Sequence, residues 1–172
     1  MRVIGIDPGS IKTGFAVLNF KAQSIELLAS GSIILDPDLR LHERLRELAQ
    51  DLEKIFTKHK PEEMALESIF FAKNARSSLQ LGQARGIALL KAAEARAEVF
   101  EYAPTEVKQC VCGHGRASKE QIQKMIRLLL KLPSSYKFIS ADQADAVAIA
   151  LTHAQLKGLK TNDRTSFWQT TL

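Results

Sequence analysis

Hydrophobic residues in the first part of the chain form three short runs separated by turn residues. Val, Ile, Phe and Leu are frequent in residues 2–7, 14–20 and 25–35, and Pro8-Gly9 and Gly31-Ser32 interrupt the pattern. Runs of β-branched and aromatic residues bounded by such turns are typical of strands. Because the connections are short, the pattern predicts three antiparallel strands in a meander.

The apolar positions then change to helical spacing. An amphipathic helix is predicted between the turn at residues 36–38 and Pro61, because its apolar residues recur at alternating intervals of four and three. The next apolar run, residues 64–67, has a length that favours a buried strand, and Glu67 ends it. The apolar positions of the helix are Leu41, Leu45, Leu48, Leu52 and Ile55.

Residues 74–96 are mainly Ala, Leu, Gln, Lys and Arg, which are strong helix formers. Gly82 and Gly86 lie four residues apart in this predicted helix, and each costs about 1 kcal/mol relative to Ala. We therefore expect a closely packed partner on that face, either another helix or a nucleic-acid backbone. Leu79 and Leu90 lie on or near the same face, which makes this helix the candidate dimer interface.

The second half of the chain predicts a strand over residues 99–102 followed by three helices. The first of these helices covers residues 104–112, and the last runs from about residue 141 to 155. Two capping boxes mark the starts of the second and third helices. They are Ser118 with Gln121 and Ser140 with Gln143.

This order of elements predicts an α/β fold with a mixed sheet flanked by helices. The first strands are expected to be antiparallel, and the later ones to enter in parallel through helical crossovers. At 172 residues the chain is long enough for one domain with a substantial core. We expect that domain to cover residues 1–157, with a flexible C-terminal tail over residues 158–172.

Positive charge is concentrated in residues 104–137, where seven Lys or Arg face two Glu, within a chain of net charge +5. The glycine-containing loop 113–115 lies in this stretch. Cations in or beside such a loop can reach a polyanion without disturbing a packed face, so we expect phosphate contacts from Lys108, Arg116 and Lys119. For Lys124, Arg127 and Lys131 we favour a solvated helix face.

Signals for export or membrane insertion are not found in the sequence. Asp7 interrupts the first apolar run, and the longest one, residues 146–151, is far below the roughly 20 residues of a membrane span. We therefore expect a soluble, cytoplasmic protein. Cys110, Cys112 and His114 form a C-x-C-x-H pattern, but no second Cys/His pair completes a zinc site, so reduced thiols are favoured.

Four carboxylates lie at the ends of predicted elements: Asp7, Glu67, Asp142 and Asp145. A buried, unpaired carboxylate is costly, so these acids need cationic partners or a metal. Hard divalent ions prefer oxygen ligands, and four acids around two ions roughly 3.5 to 4 Å apart would hydrolyse phosphodiesters. A central-strand Asp reaches both ions most easily, so Asp7 is the expected bridging ligand. Acids in a first helical turn would account for Asp142 and Asp145 without a metal, but not for Asp7 and Glu67.

Four segments resemble the motifs of the RuvC family of Holliday-junction resolvases, in that family's order and spacing. They are IGIDPGSIKTG, ALESIFFAKNARSSLQLGQARG, YAPTEVKQCVCGHGRASK and ADQADAVAIALTH. The resemblance covers residues 1 to about 157 and implies a ribonuclease H-like fold, a homodimer, and symmetric nicking of four-way DNA junctions. It implies two Mg²⁺ per active site, with Mn²⁺ as the expected substitute. The family's catalytic acids fall on Asp7, Glu67, Asp142 and Asp145; some relatives have His at the third position.

The same resemblance implies DNA-binding roles. Lys108 and Lys119 are similar to lysines that grip the phosphate near the scissile bond. Phe70 is expected to stack on an unpaired base, although paired aromatics at this point could instead plug the core. Arg76 is expected to contact phosphate, whereas Arg85 could contact phosphate or form a dimer or intrachain ion pair. A junction-binding and branch-migration complex of the RuvA and RuvB type is the implied partner.

Three other functions compete with this interpretation. The D-P-G-S turn after a strand also suits half of an actin-like or sugar-kinase ATPase, but 172 residues do not supply two lobes. A non-enzymatic junction binder would keep the basic loop but would not need the four acids. A ribonuclease H acting on RNA–DNA hybrids would share the acids but would not predict the dimer helix or the Phe70 region.

Overall fold

A mixed sheet lies at the centre of the structure, a computed structural model that describes residues 1–21, 24–68 and 75–159. The described residues form five strands in the order β3-β2-β1-β4-β5. The β1–β2 and β2–β3 pairs are antiparallel, and β4 pairs in parallel with both β1 and β5. The predicted mixed sheet is therefore confirmed. The strands are β1 (Arg2–Asp7), β2 (Lys12–Lys21), β3 (Ser24–Ile34), β4 (Glu63–Glu67) and β5 (Glu98–Tyr102).

Helices cover both faces of the sheet. One face packs against the first two helices in a core that includes Ile4, Ile6 and Leu66. The other packs against the last three in a core that includes Val3 and Ala65. The helices are α1 (Leu41–His59), α2 (Ala75–Glu94), α3 (Pro104–Cys112), α4 (Lys119–Leu129) and α5 (Ala141–Leu159).

Strand alternation determines which side chains meet α5. Successive residues of a strand point to opposite faces, so the residues that alternate with Ile4 and Ile6 share a face with Val3. Asp7 therefore shares the face of Val3 on β1, and Glu67 shares the face of Ala65 on β4. Both acids therefore lie on the α5 face of the sheet.

Helix α1 ends at a left-handed cap residue just before Pro61. Lys60 adopts a left-handed conformation with φ of 46°, and its backbone N–H donates to the carbonyl of Phe56 at 2.8 Å. Pro61 follows, as the sequence predicts. The last helix is longer than the predicted 141–155, because α5 continues to Leu159. Lys157, beyond the predicted end, forms an ion pair with Glu63 of β4. The expected domain limit at residue 157 falls within this helix.

Capping is confirmed fully at α4 and in part at α5. Ser118 and Gln121 bond each other's backbone N–H groups through their side chains. At α5, Ser140 Oγ accepts from Gln143 N at 3.1 Å, but Gln143 Oε1 accepts from the Ile139 N–H rather than from Ser140. Gln143 Nε2 also donates to Ser30 Oγ of β3 at 2.9 Å, which anchors the start of α5 to the sheet.

A buried polar chain fixes the second half of α5. Burial raises the pKa of Tyr102 to about 12 and lowers that of His153, so a neutral imidazole accepts from the phenol. The Tyr102 Oη to His153 Nδ1 distance is 2.6 Å, and His153 Nε2 lies 2.6 Å from Glu63 Oε2. Because Glu63 also pairs with Lys157, the buried carboxylate has a cation and a donor. This chain joins α5 to β4 and β5.

No helix in the described ranges is long and apolar enough to span a membrane.

Candidate active site

Two of the four acids lie side by side at the ends of parallel strands. Ile6 pairs with Leu66 in the β1–β4 register, so Asp7 and Glu67 are the next residues of their strands. Their carboxylates emerge on the α5 face, where the strands stop. Both side chains are partly buried, which makes neighbouring charges effective.

The other two acids come from the first turns of α5. A side chain at Gly14 would overlap the Asp142 backbone carbonyl, so this glycine permits α5 to approach β2 closely. Gly14 is paired with Asp7 across β1 and β2. The approach therefore brings the helix that carries Asp142 and Asp145 onto the strand end that carries Asp7.

The electrostatics show that the four carboxylates form one cluster. The pKa of Asp7 is raised to about 7, first by burial and then by the charges of Asp145, Glu67 and Asp142. Burial, followed by the charge of Asp145, also raises the pKa of Glu67. The pKa of Asp145 is raised by burial, which outweighs the opposing effect of the charges of Lys119 and Lys108. Like charges that repel in a half-buried site are the condition that a bound cation relieves.

Lysines from three elements surround the cluster. Lys119 Nζ, at the start of α4, lies 3.5 Å from Asp145 Oδ2. Lys108 of α3 lowers the pKa of Glu67 and of Asp145, which places its charge within range of both acids. Lys12 of β2 lies 4.0 Å from Asp142, measured from Nζ to Oδ2. Lys108 and Lys119 are among the residues that the sequence predicted to contact phosphate, whereas Lys12 is not.

Arg85 supports the backbone of Glu67. Its guanidinium is buried under the sheet edge, with Nη1 donating to the Glu67 carbonyl at 2.8 Å and Nη2 pairing with Glu101 Oε1 at 2.6 Å. Of the roles considered for Arg85, the intrachain ion pair is the one observed. Its geometry holds the end of β4 where the acid side chain begins.

The remaining predicted DNA-binding residues are not part of the described cluster. Arg116 is exposed in the loop between α3 and α4 and forms no ion pair with another described residue. Phe70 lies outside the described residues. Arg76 is a residue of α2 whose side chain is likewise outside the described part of the chain.

The donor chemistry of the cluster fits a hard divalent cation. Four carboxylates supply oxygen ligands, and charge repulsion among them favours a dication. In the described ranges, no three Asp, Glu, His or Cys side chains are already arranged to hold a metal ion. Asp142 and Asp145 instead each face a lysine, and these ion pairs partly account for the separation of the acids.

The two cysteines stand apart from this cluster. Cys110 and Cys112 are free thiols. Cys110 Sγ donates to Gln155 Oε1 at 3.0 Å, and burial raises its pKa to about 11. This thiol is therefore protonated and unreactive at neutral pH.

A family model described as crossover junction endodeoxyribonuclease RuvC matches residues 3–153. The chain belongs to the RuvC family. A RuvC from Desulforamulus reducens is 45% identical over 155 residues, which cover 90% of this chain and 94% of that protein. A RuvC from Natranaerobius thermophilus is 40% identical, with coverage of 94% and 99%. The activity of a RuvC family member is endonucleolytic resolution of Holliday junctions in DNA recombination and repair.

Solved structures of RuvC proteins agree with this assignment to the RuvC family. RuvC from Thermus thermophilus in complex with a Holliday junction substrate has a TM-score of 0.85 and 34% identity, covering 94% of this chain and 97% of that one. The Thermus thermophilus RuvC structure gives a TM-score of 0.84. The ribonuclease H-like fold expected from the sequence is therefore confirmed for this RuvC family member.

Proposed function

We propose that this RuvC family member cuts four-way DNA junctions by two-metal hydrolysis, with Asp7, Glu67, Asp142 and Asp145 as the metal ligands. The observation that supports this assignment best is the pKa of Asp7, raised to about 7 by burial and by the other three acids. Carboxylates gathered at such a cost to the metal-free protein indicate a cation-binding site rather than a structural feature.

The position of each acid suggests its role. Asp7 lies at the end of the central strand β1, between Glu67 and the two helical acids, so it is the ligand best placed to bridge two ions. Glu67 and the acids of α5 would complete the two coordination shells. Two Mg²⁺ bound there, or Mn²⁺ as a substitute, would lower the pKa of a water for in-line attack and stabilise the leaving 3′ oxygen. The products would be 5′-phosphate and 3′-hydroxyl ends.

Basic side chains beside the cluster would hold the DNA. Lys119 and Lys108 already lie within electrostatic range of the acids, so each can offset charge that develops on the phosphate. Arg116 on the exposed loop, together with Arg76 and Phe70, would contact the strands farther from the cut. The junction complex of the Thermus thermophilus relative supports this class of substrate.

The exposed face of α2 supports a homodimer. A side chain built at Gly82 or Gly86 meets no described atom within 4 Å, so the glycines face open space in the monomer. Leu79 is 69% exposed and Leu90 is 51% exposed. A second copy packed on this face would bury the leucines and explain the glycines, and a two-fold axis would give the two active sites that symmetric cleavage requires. A complex of the RuvA and RuvB type in the cytoplasm would supply the junction.

The proposal is tested by incubating the protein and its Asp7→Asn variant with Mg²⁺ and three end-labelled substrates: a mobile four-way junction, the matched duplex and an RNA–DNA hybrid. We expect paired nicks in the junction from the unmodified protein and binding without nicking from the variant. Cutting by Asp7→Asn would refute the metal assignment. Cleavage of the hybrid alone would indicate ribonuclease H, and binding without nicking by both proteins would indicate a non-enzymatic junction binder.

A further inference from the structure

The start of β2 adds a cation to the site, next to Asp142. We propose that Lys12 contacts a backbone phosphate of the cut strand, in exchange for its ion pair with Asp142. This inference rests on the proposed function, because it assigns a further substrate contact to the same site.

The backbone places Lys12 at the rim of the cluster. Lys12 pairs with Ile34 on β3, two residues along β2 from Gly14, so its side chain emerges on the α5 face. Because Gly14 admits the Asp142 backbone, the acid and the lysine are brought together. The approach of α5 that assembles the acids therefore also sets the position of Lys12.

The ion pair itself is weak enough to exchange. The Nζ to Oδ2 distance is 4.0 Å, and the side chains are 41% and 35% exposed, which leaves both accessible to solvent and ligand. Exposed pairs of this kind contribute little to stability. A metal ion taken up by Asp142 would compete directly with Lys12 for the same carboxylate. The released ammonium, on its flexible stem, would remain beside the reacting strand.

Lys12 and Lys119 pair with different helical acids. Lys119 approaches Asp145 from α4, whereas Lys12 approaches Asp142 from β2. A DNA strand that crosses the cluster would therefore meet two lysines, one beside each of these acids. Two contacts to the phosphate backbone would help to position the scissile bond over the acids.

The experiment compares Lys12→Met, which keeps the length of the stem, with Lys21→Met. Lys21 is a matched control because it lies at the other end of β2, is exposed, and pairs with Glu26 at 4.0 Å. Binding of a fluorescent four-way junction is measured in Ca²⁺ from about 50 to 200 mM salt, with the integrity of the junction checked on denaturing gels. Thermal unfolding confirms that each variant is folded.

Loss of one phosphate contact lowers the slope of log affinity against log salt by about 0.7 to 0.9. We therefore expect the binding defect of Lys12→Met to be about threefold larger at the low end of that salt range than at the high end. Lys21→Met should retain the original slope, and Lys12→Arg, which keeps the charge, should retain it too.

An unchanged slope in Lys12→Met would overturn the proposal and leave Lys12 as a local partner of Asp142. An equal decrease in Lys21→Met would also overturn it, because the effect would then reflect net charge alone. Nicking of the junction by the unmodified protein in Mg²⁺ is measured in parallel. If that nicking is absent, the proposed function fails; if it is present and the slope is unchanged, only the role of Lys12 fails.

Discussion

The Arg85 guanidinium donates to the backbone carbonyl of Glu67 at 2.8 Å. The same side chain pairs with Glu101 of β5 through its second terminal nitrogen. A planar, bidentate group can make both contacts at once, whereas a point cation cannot. Arg85 thereby connects α2 to the ends of both β4 and β5, next to an acid of the candidate site.

Replacing Arg85 should therefore affect cleavage as well as stability. We expect Arg85→Met to destabilise the protein by roughly 1 to 3 kcal/mol, because the buried Glu67 carbonyl loses a charged donor. Cleavage should decrease more than junction binding, since the acid and not the DNA surface is disturbed. The control Glu101→Gln removes only the half-exposed partner and should retain most of the cleavage. Equal cleavage by Arg85→Met and the unmodified protein would contradict this role.

Asp7→Asn should stabilise the metal-free protein at pH 8. The pKa of Asp7 rises from 3.8 to about 7 in the folded state, so the folded protein keeps a proton that the unfolded chain loses. The free energy of unfolding therefore decreases as the pH rises from about 4 to 7. We expect the Asn variant to have a free energy of unfolding roughly 1 to 3 kcal/mol higher at pH 8. This is less than the full pKa shift implies, because solvent and relaxation moderate the effect. Denaturant unfolding in a chelator should show this advantage shrinking as the pH is lowered toward 5.

Gly14→Ala should separate assembly of the site from DNA binding. The added methyl group overlaps the Asp142 carbonyl, so α5 must shift away from β2. We expect a metal concentration for half-maximal cleavage at least tenfold higher, with modest loss of junction binding. Gly86→Ala controls for the added methyl group in unfolding and junction binding only, because its methyl group meets no described atom within 4 Å in the monomer but lies on the proposed dimer face. If Gly14→Ala cuts normally at low Mg²⁺, the close approach of α5 does not set the site.

A bulky residue on the open face of α2 should prevent self-association. Gly86→Leu is expected to give a monomer in sedimentation or light scattering without loss of helix content, because the position faces open space. Such a monomer carries a single acid cluster, so it should give unpaired nicks on the junction. Lys54→Leu on α1, a position 75% exposed and paired within its own helix, controls for added surface hydrophobicity. A Gly86→Leu protein that remains dimeric would place the interface elsewhere.

Tyr102→Phe should weaken the attachment of α5 to the sheet. The change leaves His153 Nδ1 buried without its donor at 2.6 Å, which costs about 1 to 3 kcal/mol. Thermal unfolding should record this loss, while the salt dependence of junction binding should remain unchanged, because the buried phenol is neutral and its removal changes no charge. An unaltered melting temperature would show that the phenol does not contribute.

Local pattern was sufficient to predict most elements of this fold. The Leu spacing of α1 and the Ser118 capping box depend on residues close in sequence, and both are confirmed. The end of α5 was predicted too early because Lys157 is held by Glu63, a residue far away in the chain. Hydrophobic periodicity alone carries no information about a contact between residues so far apart in sequence.

The candidate site also contains residues that local sequence identifies and residues that only the packing of distant elements reveals. Asp7 and Glu67 were recognisable because each ends an apolar run, and Asp142 and Asp145 because they start a helix. The ion pair of Lys12 with Asp142 and the support of Glu67 by Arg85 arise only when β2, α2 and α5 pack on one sheet. A lysine in a strand and an arginine in a helix carry no local signal of either contact.

The glycines beneath α5 set the helix position by contact between main chains. Side chains built at Gly5 or Gly14 would overlap α5 at Ala146 or Asp142. Core residues elsewhere can exchange one aliphatic group for another and change stability while the spacing of the acids is kept. Over long divergence, the hydrophobic interior of such a nuclease is therefore free to drift, whereas these two positions admit no substitution that leaves the acids where they are.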